Sequence, residues 1–185
     1  VGAAVSAQES TGIPNTAMAA SSTPTADVVE ENGFQFDKST GTITDYTGNE
    51  TGTLTIPSSI DGVTVTSIKA YALGSAVVIP NTIETLGFGV FQMCSSLEKV
   101  TFESGSKVTE LKDSMFYQCT KLKEVVFPEN LKSIKVLAFY KCTSLETVTL
   151  PEGFTTLYNA AFLDCTNLKT VIVPDSLHHM VMNPF

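Results

Sequence analysis

The stretch Ala138-Phe139-Tyr140-Lys141-Cys142-Thr143-Ser144-Leu145-Glu146-Thr147-Val148-Thr149-Leu150-Pro151 decides how this chain is read. Its order returns 23 residues later as Ala161-Phe162, Cys165, Leu168, Val171, Val173 and Pro174. Working outward, Phe91, Phe116, Phe139, Phe162 and Phe185 form one column, and Cys94, Cys119, Cys142 and Cys165 a second. Leu97, Leu122, Leu145 and Leu168 form a third, and Val100, Val125, Val148 and Val171 a fourth. Phe102, Phe127, Leu150 and Val173 stand just before the proline phase of Pro57, Pro80, Pro128, Pro151 and Pro174, where Glu103 takes the one missing slot. The intervals are 23, 23, 25, 23 and 23, and the two extra residues fall in the polar loop Glu103-Ser104-Gly105-Ser106-Lys107.

A fixed period of this size means a solenoid, in which no unit buries its apolar side alone and equivalent residues stack turn upon turn. From each column Val onward the unit alternates, which predicts a short strand with Leu, Val and Phe or Leu turned inward. Successive strands pair in a parallel sheet with about 4.8 Å between them. Proline closes each strand because it has no N–H to donate to the ladder. The Ala-Phe-x-x-Cys half returns on the other side as a short helical turn or irregular coil, with Ala138 and Ala161 small where the Phe rings pack.

The columns resemble the BspA-like leucine-rich repeat family. The resemblance is carried by Ala138-Phe139, Cys142, Leu145, Val148, Leu150 and Pro151 and by their copies from Ala161 to Pro174. Ile56-Pro57-Ser58-Ser59-Ile60-Asp61-Gly62 with Val65-Thr66-Ser67-Ile68 is similar to that family's first repeat, so the likeness runs over about residues 42–185. It implies a strand-rich α/β repeat solenoid: a right-handed leucine-rich-repeat coil with a parallel β-sheet on one face and short turns on the other. It also implies a bacterial surface or secreted protein that adheres to other proteins, host matrix proteins included.

Three segments follow from the punctuation. Residues 1–32 are rich in Ala, Ser, Thr and Pro and read as a low-complexity tail or linker. Val5-Ser6-Ala7 ahead of Gln8 has the small residues of a signal-peptide cleavage site. Residues 33–56 alternate between turn signals (Phe34-Gln35-Phe36, Thr42-Ile43-Thr44-Asp45-Tyr46, Leu54-Thr55-Ile56) and predict a hairpin that caps the array. Residues 57–185 form the array of about six turns, the last one incomplete.

Composition removes whole classes of function. The chain of 185 residues has a net charge of −8, 11 Lys and no Arg or Trp, while Thr contributes 25 residues. A nucleic-acid binder needs a basic patch, and bidentate phosphate recognition favours Arg. No apolar run reaches the roughly 20 residues of a bilayer span.

An even cysteine count suggests disulfides, but these four share one phase of the repeat and point the same way, into the core. Bridging requires converging Cβ vectors, so buried thiols acting as small apolar groups are expected, with no metal and no cofactor. His178 and His179, after Asp175-Ser176, are the sole basis for a hydrolase reading. Adjacent residues of an extended segment face opposite ways and no second motif supplies a nucleophile, so no catalytic residue is assigned. Asn49-Glu50-Thr51 is a glycosylation sequon that matters in a eukaryotic secretory context.

The informative surface is the outward side of the strands. One column reads Glu98, Lys123, Glu146, Lys169; its neighbour Lys99, Glu124, Thr147, Thr170; the next Thr101, Val126, Thr149, Ile172. Acid and base alternate along the first, which fixes register and cancels charge. What remains is a neutral, Thr-rich face for protein contact. Three functions follow: a non-enzymatic binding module using these twelve residues, a structural spacer within a larger surface protein, and, least supported, a hydrolase. Met180, Met182 and Phe185 leave an apolar carboxyl end suited to self-association.

Overall fold

The computed structural model describes residues 27–48, 52–68 and 74–185. Among the described residues seventeen strands follow one another. They are β1 (Val28–Glu31), β2 (Phe34–Asp37), β3 (Thr42–Tyr46), β4 (Thr53–Thr55), β5 (Ser59–Ile60), β6 (Val63–Thr64), β7 (Ser67–Ile68), β8 (Ala76–Ile79) and β9 (Thr85–Leu86). Then come β10 (Lys99–Phe102), β11 (Glu110–Leu111), β12 (Glu124–Val126), β13 (Ser133–Ile134), β14 (Thr147–Thr149), β15 (Thr156–Leu157), β16 (Thr170–Ile172) and β17 (His179–Met180).

The chain is a β-solenoid with parallel sheets. On the main face β4, β8, β10 and β12 pair in parallel, and β14 pairs in parallel with β16. The registers match the sequence columns, with Val77, Val100 and Val125 level on one run and Val148 level with Val171 on the other. A second side carries the two-residue strands: β3, β7 and β9 in one run, β11, β13, β15 and β17 in another. That second run begins after the 25-residue interval, whose extra loop residues Ser104 and Gly105 are exposed. Two added residues spoil the stacking of one turn on the next, so the ladder stops between β9 and β11. Across this step Lys107 and Glu84 still form an ion pair at 2.7 Å.

The amino end is antiparallel, β1 against β2 and β2 against β3, and it joins the solenoid where β3 pairs in parallel with β7. The capping layer includes Val28–Glu31, ahead of Gly33, where the sequence reading starts it. Val29 packs on the core while Glu30 and Glu31 stay exposed, so β1 has only a thin apolar signature. Residues 1–26, with the expected cleavage site, and the sequon at 49–51 lie outside the described residues.

Of the two forms expected for the return side, a short helical turn or irregular coil, the irregular one is found. Among the described residues there is no helix on the return side. Two positions in each of four successive turns are left-handed: Gly89, Ser114, Leu137 and Ala160 before the Phe column, and Met93, Gln118, Lys141 and Asp164 after it, with φ between 53° and 60°. A left-handed residue every fourth position prevents helical propagation, so the chain makes successive tight turns instead. The N–H groups released in this way bond from turn to turn. Phe91 N donates to Met115 O at 3.0 Å, Phe116 N to Ala138 O at 2.7 Å and Phe139 N to Ala161 O at 2.7 Å.

Inside the coil the columns pack as the period requires. Phe91, Phe116, Phe139 and Phe162 stack with centroids 5.0–5.2 Å apart. All four cysteines are buried, with no disulfide between turns. Cys119, Cys142 and Cys165 donate their S–H to Phe91 O, Phe116 O and Phe139 O at 2.8, 3.1 and 3.0 Å. Each thiol thus bonds one turn back, supplying a second donor to a buried carbonyl. The Cys119 thiol is pushed well up by its hydrogen bond with Cys94 and by burial, and the Cys142 thiol is pushed up by burial first. Neither serves as a thiolate nucleophile at neutral pH.

The core thins at the carboxyl end. Leu97, Leu122 and Leu145 are buried, Leu168 only partly, and Val173 is 48% exposed. Phe185 stacks on Phe162 at 5.9 Å but stays 47% exposed.

Candidate functional site: a cleft in the strand face

The main sheet is not continuous. β12 pairs only with β10 and β14 only with β16, so the parallel ladder expected along the whole face is broken between two turns of normal 23-residue spacing. Backbone bonds mark the break. Lys123 N donates to Glu98 O at 2.9 Å and Lys169 N to Glu146 O at 2.9 Å, and Leu150 N donates to Ile172 O at 2.9 Å. Among the described residues neither a Glu146-to-Lys123 nor a Phe127-to-Thr149 counterpart exists.

Everything around the break is intact. Ser144 Oγ donates to Thr120 O at 2.7 Å at one end of it. Gln118 N donates to Tyr140 O at 2.7 Å on the return side, and β13 pairs with β15 on the second side. Two turns thus stay joined on three sides and part on the fourth. Phe127 lies at the opening, half-buried and edge-on to Phe139 with centroids 6.0 Å apart. Its column mates Phe102 and Leu150 are buried.

The result is a cleft of about 890 Å³, walled by Lys123, Glu124 and Val126 on one side and by Glu146, Thr147 and Thr149 on the other. Val125 and Phe127 give it an apolar floor, and Ser144, Pro151 and Asn167 close its ends. Such a volume falls in the ordinary range for binding sites. Six of the twelve strand-face residues singled out from sequence therefore meet at one place. The other six (Glu98, Lys99, Thr101, Lys169, Thr170, Ile172) flank it on β10 and β16 or directly before them.

The charge column behaves as its alternation demands, except at the cleft. Lys123 pairs with Glu98 at 2.7 Å, Lys99 with Glu124 at 2.9 Å and Lys169 with Glu146 at 3.1 Å. No pair joins Lys123 to Glu146 across the gap. The Lys123 ammonium, bonded to Glu98, holds that carboxyl below the usual carboxylate range. Each wall thus satisfies its own charges, leaving neutral backbone and Thr side chains to face the opening. Beyond the charges, Val126 is 40% and Ile172 52% exposed, a mildly apolar column on an otherwise polar sheet.

Other candidates do not assemble. The Ser176 hydroxyl donates to Phe154 O at 2.8 Å, and His178 Nδ1 meets the backbone carbonyl of Ser176, also at 2.8 Å. His178 and His179 therefore form no Ser–His–Asp arrangement with Ser176, in line with their exposed position at the last strand. A second cavity, of about 480 Å³, lies beside Phe88, Glu110, Lys112, Lys135 and Tyr158. Its charges are committed within the protein: Glu110 pairs with Lys112 and with Lys135, the Lys135 ammonium sits 4.2 Å over the Tyr158 ring, and Asp113 Oδ1, also in the lining, accepts from Val136 N at 2.9 Å. Tyr117 and Tyr140 pack on the return side with centroids 4.8 Å apart and rings tilted by 33°, with Lys141 over Tyr140, an arrangement that serves packing between turns. Among the described residues no three His, Cys, Asp or Glu side chains cluster as metal ligands, and no helix is long and apolar enough to cross a membrane.

A parallel-sheet coil with buried Leu, Phe and Cys columns defines a leucine-rich repeat protein. Residues 66–185 match the family model for the BspA type leucine rich repeat region, in six copies. The chain belongs to that family. Solved structures agree. A leucine rich cell surface protein from Faecalibacterium prausnitzii is 30% identical, with a TM-score of 0.66, over 87% of this chain and 46% of its own. A leucine-rich repeat protein from Bacteroides ovatus is 28% identical, with a TM-score of 0.57, over 69% of this chain and 32% of its own. The Treponema pallidum leucine rich repeat protein is 27% identical, with a TM-score of 0.54, over 75% of this chain and 55% of its own. The chain thus spans about half or less of these relatives' lengths. No curated protein sequence matches it.

Proposed function

We propose that this is a non-catalytic protein-binding module of a bacterial cell surface, engaging its partner through the strand face. One observation supports this above the rest: the twelve-residue face carries self-neutralised charges, an exposed Val126–Ile172 column and an opened sheet, while no catalytic constellation stands beside it. The family likeness adds extracellular matrix proteins as the partner class, and the Faecalibacterium relative, described as a cell surface protein, adds the location.

The test is biolayer interferometry of the purified chain against a set of matrix proteins, beside a Thr170→Lys/Ile172→Lys variant. Both residues are exposed, so the fold is expected to survive. Binding that the double substitution weakens supports the face. Binding that neither this variant nor any other strand-face substitution changes rejects it. The spacer reading draws on the shares of 46% and 32% covered in longer relatives, and it expects no binding by any isolated stretch of repeats.

A further inference from the structure

The second cavity has a structural cause. It opens at the step where the second-side ladder stops, between Phe88, just after β9, and Glu110 in β11, two strands that do not pair. From there it runs over the turns of Lys112, Lys135 and Tyr158. At about 4.8 Å a turn, the floor from Phe88 to Tyr158 is roughly 14 Å long. The volume of about 480 Å³ falls in the range of small-molecule sites.

One end of it is aromatic. Phe88 is 61% exposed, more than any other aromatic ring among the described residues. Its neighbours Gly87 and Gly89 have no side chains to cover it. Nor is the ring required by the repeat, since Asp113 and Val136 follow at the same phase. An exposed phenyl forgoes the gain of burial, so covering its face is a source of affinity.

The charges narrow the ligand. Glu110 and Asp113 share the lining with Lys112 and Lys135, two acids against two bases. An anion meets the carboxylates, a cation meets the ammoniums, and either competes with the Glu110 pairs. An apolar molecule strips water from all four groups. Yet these groups are not saturated: an ammonium carries three donors and a carboxylate about four acceptor sites. Asp113 spends one oxygen on Val136 N. Hydroxyls both donate and accept, so a neutral polyol bonds to acids and bases alike and leaves their pairs in place. A pyranose adds an apolar C–H face, whose polarised hydrogens meet the negative face of a phenyl ring. Lys135 covers one face of Tyr158, which leaves Phe88 as the platform.

We propose that this cavity is a carbohydrate site: a neutral di- or trisaccharide stacks one pyranose on Phe88 and hydrogen-bonds its hydroxyls to Glu110, Lys112, Asp113 and Lys135. This is a further function on a different side of the coil from the strand face, and it does not depend on protein binding there.

Maltotriose, cellotriose, xylotriose and mannotriose are titrated against the intact isotope-labelled chain by NMR, with trigalacturonate as the anionic control. At least one neutral sugar is expected to shift the amides of Phe88, Lys112 and Lys135 with a Kd of about 1 mM, and trigalacturonate to bind about tenfold more weakly. Phe88→Ala is expected to weaken sugar binding about tenfold, the scale of one lost ring contact, while Phe88→Trp retains it. The ring is exposed, so Tm is expected to stay unchanged in both. Thr170→Lys/Ile172→Lys is expected to leave sugar binding as it is. No shift with any neutral sugar at about 10 mM overturns the proposal. So do shifts confined to the strand face, equal binding by Phe88→Ala, or trigalacturonate binding as tight as the best neutral sugar. Should Phe88→Ala unfold, the location of the shifts and the anionic control decide by themselves. Sugar binding without any matrix-protein binding supports this site and counts against the strand face.

Discussion

Phe139 is the most demanding test of how the solenoid is held together. It is fully buried and touches three rings: Phe116 and Phe162 above and below at 5.0 Å, and Phe127 edge-on at 6.0 Å. Truncating a buried Phe to Ala costs about 3–5 kcal/mol, and each good aromatic pair adds about 0.5–1.5 kcal/mol beyond area. With three such pairs lost, Phe139→Ala belongs at the upper end, about 5 kcal/mol. Phe185 has one ring neighbour at 5.9 Å and is 47% exposed, so Phe185→Ala is expected to cost about 1–2 kcal/mol. Urea unfolding followed by circular dichroism reads the difference. With a slope of about 2 kcal/mol per molar, 5 kcal/mol lowers the midpoint by about 2.5 M and 1–2 kcal/mol by about 0.5–1 M. In a quasi-one-dimensional array the loss also weakens the coupling between the turns on either side. If the two variants unfold at midpoints within about 0.5 M of each other, the Phe column is not the array's spine and the packing argument fails.

Other outcomes follow from single contacts. Glu98 titrates below an ordinary carboxyl because Lys123 bonds to it, so its contribution to stability is full above the unfolded value and is lost as pH falls through the lowered folded value. Lys123→Met is expected to raise the Glu98 midpoint toward the ordinary carboxyl range in an NMR titration; an unchanged midpoint counts against the pair. Gln118 is left-handed at φ 58°, a conformation that Asn accepts more readily, so Gln118→Asn is expected to raise Tm by about 2 °C. A fall in Tm would show that the side chain matters more than the backbone. A thiol reagent is expected to react slowly with the native chain and with four thiols in denaturant, since all four cysteines are buried thiols. Finding no thiol in denaturant would mean that the column is oxidised.

The columns were legible because burial in a solenoid repeats with the chain's own period. Phe139, Cys142, Leu145 and Val148 are fixed in phase, and the structure buries all four. The 25-residue interval was equally legible, and the second-side ladder stops there. The left-handed turns were hidden because Leu137, Ala160, Gln118 and Lys141 are not residues that announce φ above zero. In that pair of columns Gly89 and Asp164 alone carry a usual sign. β1 was hidden for a different reason: Val28-Val29-Glu30-Glu31 gains its strand character from β2, not from its own alternation.

The candidate site divides in the same way. Which side chains face outward was fixed by alternation, and the ion pairs Glu98–Lys123 and Glu146–Lys169 form where the column predicts. Where the face opens was not written in the spacing, since Phe127 and Leu150 are both acceptable at their column. Residue type does not decide it, since Phe102 is buried at the same column on a strand paired on both sides; ring placement does. A ring at position 127 lies edge-on to Phe139 instead of sinking with its column, and the strands beside it part.

The opened sheet rests on four amides. Residue-resolved hydrogen exchange of the free chain reads them directly. The expected result is rapid exchange at Val125, Phe127, Thr147 and Thr149, with Val148 and Leu150 protected by β16. Protection of Thr147 and Thr149 equal to that of Val148 would mean that β12 and β14 pair in solution, and the cleft would not exist.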